Sequence, residues 1–530
     1  MQNKLNLIFV LLIALIFGII LAVDIGSADY EQLGIYAVVG IVIYFVINGW
    51  RNVWWFTALL IFSGVIFVQS FDFNAEHLFV MMLGLASFMF IISRGVMPQA
   101  PEFKIAGSKS AAIVTGALIF YGVMHFIVYY VFPYSPAEYS VKTSLKAYFE
   151  CYASMVCFFW LLVGPYGFNL KPTWPRNLII IMIFCVAANV TLRGVLFFMG
   201  FQAADGLTGD SVTLGSIGVP IINMYPGIFT LRNICPLVAI ILFMIMSGKG
   251  WWQGSKFGIK TLVVAGIALC LVGAAFSGGR ASLPLCILLL LAGAMMRRQV
   301  APVALMGTAM LLLVTGVNLF SHEINTKAPF YVARSVQLVM LDKGSTNDSI
   351  GESQDVRNAA IEEAIVQWQK DNRVFFFGRS VYHITGEEAS YVKERLGKDG
   401  FVLNAMKSGR THNLITDLLL QYGLIGCILY IISYLMVIRY MLKLRKALTD
   451  EDGVVKWLMD AMAIYLPLMF VYQALGGTYM PIVVPLIIGL VRAHLVTLKN
   501  REAVPALESL SESPSVQDRP DRQTPPILAR

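Results

Sequence analysis

The sequence predicts an all-α polytopic membrane protein of about 12–14 transmembrane helices, with one large loop on a single face that holds a helix of its own. Three observations carry this. Of the 530 residues, 57% are hydrophobic and 14% charged, where a soluble domain runs at roughly 45–50% and about 25%. Apolar runs of roughly 17–25 residues recur along the chain, each long enough to cross a hydrocarbon core as a helix. They do not alternate as barrel strands would, and only helices or closed barrels satisfy their backbone in lipid. One polar stretch, Ser321 to Thr411, interrupts the series and ends at His412-Asn413, where the chain returns to apolar sequence.

Taken in order, the candidate spans are 5–23, 34–48, 53–70, 78–93, 112–132, 150–168, 178–192, 234–247, 261–277, 281–296, 301–319, 413–438, 455–475 and 480–496. The first follows Lys4 without a small-residue cleavage site and reads as a retained span. One set of connections carries Arg51, then Arg94, Lys104 and Lys109, then Lys171 and Arg176, then Lys249, Lys256 and Lys260, then Arg297 and Arg298, then Arg439, Lys443, Arg445 and Lys446. The short connections DIGSADYEQ and FDFNAEH on the other side carry no Lys or Arg. Positive charge marks the cytoplasmic side, so both termini are expected there and the 321–411 loop on the outer face.

Inside that loop, DVRNAAIEEAIVQWQ places apolar residues at 356, 360, 361, 364, 365 and 368. This spacing predicts one apolar helical face, suited to packing on the membrane region. The run VFFFG at 374–378 reads as a buried extended segment or an interfacial anchor. The chain thus divides into N-terminal spans over 1–200, a central region 201–440 that includes the loop, C-terminal spans over 441–500, and a Pro-, Ser- and Asp-rich tail over 501–530 expected to be disordered.

Several function classes are excluded. The net charge of +8 is spread over short loops and does not imply nucleic acid. Seven cysteines lie in or beside apolar runs without CxxC spacing and read as packing residues. There is no GxxxxGK[ST] phosphate loop, no HExxH zinc motif and no GxSxG elbow. No metal-binding acidic cluster or cofactor motif is visible. The spans hold few internal acids or bases of the kind that mark ion pathways, which argues against a pump.

Basic groups on the outer side remain. Arg280 lies in Ser277-Gly278-Gly279-Arg280, a turn between two spans. Arginine grips phosphate oxygens with a planar fork. A stop residue in a hairpin is the alternative, yet positive charge is disfavoured on this face. Arg232-Asn233 opens another span and Arg193 ends one; each is either a snorkelling anchor or a ligand group. His412 titrates near neutral pH and stands at the lip of a span. The other histidines, His125 in mid-span among them, say less.

The stretch THNLITDLLLQYGLIGCILYI (411–431) resembles the signature of the O-antigen ligase/polymerase superfamily, through His412, Asn413, Leu414, Leu418, Gly423, Leu424 and Gly426. SGGRAS (277–282) resembles that family's Ser-Arg turn, two spans before its large outer loop. Gly227, Phe229 and Asn233 resemble a Gly-x-Phe…Asn element, and Arg357, Trp368 and Phe377-Gly378 a weaker pattern within the loop. The resemblance covers about residues 225–440; where the family carries an arginine before Gly-x-Phe, this chain has Asn223-Met224-Tyr225-Pro226.

The resemblance implies a fold similar to the GT-C lipid-linked sugar transferases, in the bacterial inner membrane with a periplasmic loop. It implies a metal-independent glycosyltransferase without cofactor, moving a glycan from undecaprenyl diphosphate to an acceptor in surface polysaccharide biosynthesis. His412 and Arg280 would be catalytic; Arg232, Arg193, Asn413, Arg357 and Asn233 would bind substrate. A ligase hands the glycan to lipid A–core, and the lack of an Arg-x10-Gly pattern favours it. A polymerase joins lipid-linked repeat units of O-antigen or exopolysaccharide, and the long loop favours that. Other polysaccharide-assembly membrane proteins would be partners beside the lipid bilayer. A flippase or exporter of lipid-linked glycan is the reading from another class.

Overall fold

The computed structural model describes residues 54–63, 66–68, 73–74, 108–132, 145–163, 170–198, 228–254, 256–276, 282–299, 311–312, 314–327, 348–379, 413–476 and 479–511, with single positions 308, 340, 402 and 411. The spans expected at 5–23, 34–48 and 78–93 lie outside them.

The described chain is helical apart from one small antiparallel pair. In order it comprises α1 (Trp54–Ser63), β1 (Ile66–Val68), β2 (Phe73–Asn74), α2 (Ser108–Val131), α3 (Leu145–Val163), α4 (Trp174–Phe198), α5 (Ile228–Met246), α6 (Trp251–Gly254), α7 (Phe257–Phe276), α8 (Ser282–Met296), α9 (Ser321–Lys327), α10 (Asp348–Gln369), α11 (Asn372–Phe377), α12 (Leu414–Ala447), a 3-10 turn (Asp450–Asp452), α13 (Val454–Gly476) and α14 (Val483–Ser511). Among the described residues, five helices are long and apolar enough to cross a membrane: α2, α4, α7, α12 and α13. Four shorter apolar helices stand beside them, within α3, α5, α8 and α14.

Two expected boundaries are corrected. The span expected at 53–70 is a ten-residue helix followed by the β1–β2 pair, in keeping with the strand-forming Ile66-Phe67-Val68. The last helix continues past residue 501 to Ser511; residues 512–530 of the expected tail lie outside the described residues.

Helix α5 is the centre. Every residue from Ile234 to Ile245 is buried, as an all-apolar helix requires once other helices surround it. It packs on α7, α8, α13 and α4. Glycines on the neighbours permit this: a Cβ at Gly266 or Gly273 of α7, or at Gly293 of α8, would press into Leu242, Cys235 or Ile240. Helix α2 shows the opposite asymmetry. Phe120, Val123, Ile127 and Val131 are exposed while His125 and Tyr129 are buried, the arrangement suited to an apolar solvent. All seven cysteines are free and buried.

One end of the bundle is tied by charge. The carboxylate of Asp460 on α13, 4% exposed, lies 2.5 Å from Arg445 Nε of α12 and 3.0 Å from Arg297 Nη2 after α8. The opposite end of α12 holds the candidate site.

Candidate functional site

The site is built on the start of α12. Asn413 has extended backbone and its side chain accepts a hydrogen bond from Thr416 N at 3.1 Å, an N-cap. In the same turn Asp417, 2% exposed, accepts from Thr411 N at 2.6 Å and from Thr411 Oγ1 at 2.7 Å. Both neighbours of His412 are therefore pinned by the first turn of the helix. His412 itself lies outside the described residues.

Helix α12 then breaks at Gly423, where φ is 67° and ψ −174°. That region of backbone space belongs essentially to glycine. A break orphans carbonyls of the preceding turn, and within a membrane each must find a donor. The donors come from two places. Arg379 N donates to Leu420 O at 2.9 Å, and the Tyr121 hydroxyl of α2 donates to Tyr422 O at 2.6 Å.

Arg379 arrives by way of α11. Asp371 caps that short helix by accepting from Arg373 N. Trp368, at the end of α10, stacks on Phe375 with ring centres 4.6 Å apart and donates from Nε1 to Phe375 O at 2.9 Å. Gly378 ends α11 with φ 73°. It lies against Gly423 so closely that a Cβ on either glycine would overlap backbone of the other segment. The run 374–378 is thus helical and turned inward at its end, not extended; Phe376 and Phe377 stay about half exposed, as an interfacial anchor would.

Helix α2 holds the same turn from a third side. His125 Nε2 lies 2.6 Å from Phe377 O and Nδ1 lies 2.5 Å from the Tyr148 hydroxyl. A carbonyl only accepts, so Nε2 carries the proton and Nδ1 accepts from Tyr148. The Tyr129 hydroxyl donates to Gly378 O. The Arg373 guanidinium lies 4.8 Å over the Tyr129 ring and donates to Phe132 O at 3.4 Å. The Tyr422 ring is wholly buried among His125, Tyr148 and Tyr152.

The expected helix in the loop is present and longer than its apolar pattern, since α10 begins at Asp348. Ala360 and Ala364 are buried against Leu420 of α12, so it packs on the membrane region as its pattern implies.

The structure places the sequence candidates unevenly. Asn413 caps α12, and half-buried Arg357 lies on α10 three residues before the Ala360 contact. Arg232 and Asn233 lie in the first turns of α5 and Arg193 in α4; only their backbone is described. Arg280 lies outside the described residues. Among the described residues, no three metal-ligating side chains converge.

Sequence reading missed five groups here: Tyr121, His125, Tyr129, Asp417 and the buried Arg379. A signal existed for three of them. Tyr121, His125 and Tyr129 stand four apart in an otherwise apolar span, which puts them on one face. No family model matches the chain, and no curated protein is similar to it in sequence.

Proposed function

We propose that this chain is an inner-membrane glycosyltransferase of the O-antigen ligase/polymerase kind, moving a glycan from undecaprenyl diphosphate to an acceptor at the periplasmic surface. One observation carries the reading beyond the motifs themselves. Phe377-Gly378 and Gly423, two elements of the resemblance far apart in sequence, touch backbone to backbone in the turns that follow His412-Asn413. Motif residues that need one another spatially are expected to form one site.

The chemistry fits the residue types. The acceptor hydroxyl oxygen attacks the anomeric carbon of the donor sugar, and the bond from that carbon to the diphosphate oxygen breaks. His412 takes the hydroxyl proton. The leaving diphosphate carries concentrated negative charge, which Arg280 holds with Arg232 or Arg193 assisting. Thr411 and Asn413, fixed by Asp417 and Thr416, set the reach of His412. Helix α10, with Arg357, lies across the same helix start from the loop side.

Orientation by positive charge puts the 321–411 loop, the end of α2 and the start of α12 on one face. Their mutual contact supports that assignment, as does the Arg297–Asp460–Arg445 group at the opposite end.

The test is replacement of His412 or Arg280 with Ala, with membrane expression verified. Surface glycan should fall by about 10²-fold or more; normal glycan in both variants would sink the assignment. A deletion strain sorts the acceptor. Long chains left on the lipid carrier mean a ligase for lipid A–core. Single repeats on the core mean a polymerase. Precursor trapped inside means a flippase and removes the enzymatic reading.

A further inference from the structure

The break at Gly423 and the end of α11 leave backbone carbonyls that need donors; Arg379 N serves Leu420 O, and helix α2 serves three others from a single stripe. Tyr121 donates to Tyr422 O at 2.6 Å and lies 3.4 Å from Phe377 O. His125 donates to Phe377 O at 2.6 Å. Tyr129 donates to Gly378 O. The three residues follow one another at four-residue spacing, and their acceptors lie on both sides of the Gly378–Gly423 contact. The stripe thus does two jobs that packing alone would not demand. It satisfies the last carbonyls of α11, and it locks that loop segment to the broken helix.

We propose that Tyr121, His125 and Tyr129 are positioning residues that clamp loop segment 372–379 onto the broken start of α12, and so fix where His412 and the loop stand relative to each other. This rests on the glycosyltransferase reading for its functional half. The clamp itself rests on geometry alone. Beside the Arg379 N–Leu420 O bond and the Trp368–Phe375 contact, the stripe adds directional donors that fix the carbonyls at the end of the segment. A neutral histidine suits this role because one nitrogen donates to the loop while the other is held by Tyr148, which fixes the ring plane. Arg373, the charge facing the stripe from α11, lies over Tyr129 and adds a further contact from the loop side.

The experiment uses the full chain in two arms. In the first, hydrogen–deuterium exchange is followed over 372–379 in detergent micelles for the wild type, His125→Leu, Tyr129→Phe and His125→Gln. Exchange should rise several-fold in His125→Leu and Tyr129→Phe. His125→Gln, which keeps an N–H donor at the same reach, should restore protection. In the second arm, surface glycan per unit of folded protein is measured in a deletion strain carrying each variant. It should fall by about 10–100-fold in His125→Leu and recover in His125→Gln. Should His125→Leu fold poorly, Tyr129→Phe removes one hydroxyl only and gives the same two readings.

Unchanged exchange in both loss variants overturns the clamp. Faster exchange with undiminished glycan, while His412→Ala abolishes it, overturns the positioning role. Were His412→Ala also to leave glycan normal, the glycosyltransferase reading would fail and the exchange arm would still judge the clamp.

Discussion

Gly423 shows how much rests on a single missing side chain. At φ 67° an alanine pays about 1–3 kcal/mol in backbone strain alone, and its methyl would meet Gly378 N and Phe376 O. Gly423→Ala should therefore lower the unfolding midpoint in detergent and free the 372–379 segment together. Gly426→Ala, whose added methyl meets the Tyr121 ring and the Cβ of Tyr422, should lower the midpoint while leaving φ unstrained. The glycine spacing in the sequence resembles a family signature; the positive φ is the physical reason a glycine stands at 423. His125 is the converse case. In sequence it is one more histidine in an apolar run, because a mid-span histidine is as readily a satisfied core residue as a working one. Only the arrival of the Phe377 carbonyl, from a loop more than two hundred residues away, gives it a role.

At the level of elements, apolar length and periodicity made several of the described helices legible. The expected 112–132 span is α2, and the expected 413–438 span is the first part of α12, which runs on to Ala447. Helix α10 was visible from its apolar face, and its contact explains the small residues on it. Ala360 and Ala364 are fully buried against Leu420, so there is no room for bulk. Ala364→Leu should cost about 1–3 kcal/mol by overpacking, read as a lowered unfolding midpoint, and should lift α10 from α12. Helix α11 was not legible. Six residues of Asn-Arg-Val-Phe-Phe-Phe are too few for a periodic signal, and the helix exists because Asp371, Trp368 and α2 hold its ends. The expected 53–70 span failed in the other direction: apolar content suggested one long helix, and the chain there forms the short α1 followed by the β1–β2 pair, whose first strand holds β-branched Ile66 and Val68.

On the scale of the whole molecule, the bundle is fastened at both ends by polar groups and filled between them by apolar packing around α5. Asp460 pairs with two arginines at one end. Asp460→Ala would leave both cations without their carboxylate. The cost should be about 3 kcal/mol, the low end for a broken buried pair since both arginines keep some solvent contact. Thermal unfolding in detergent measures it, and Asp460→Asn should recover part of the loss through its remaining acceptor. The other end is fastened by neutral hydrogen bonds from α2 and by Asp417 and Asn413.

The sequence by itself determined the membrane class, the helical content of the spans, the polar loop with its helix, and the motif around His412. These follow from composition and from periods of a few residues, which a chain displays without folding. The tertiary structure alone decided that Phe377-Gly378 docks on Gly423, that Tyr121, His125 and Tyr129 hold the dock, and that Asp417 pins the residue before His412. Each of these is a hydrogen bond or a close backbone approach, and most join residues remote in sequence. Their partners are main-chain carbonyls and amides, which every residue carries, so no side-chain pattern in the sequence announces them.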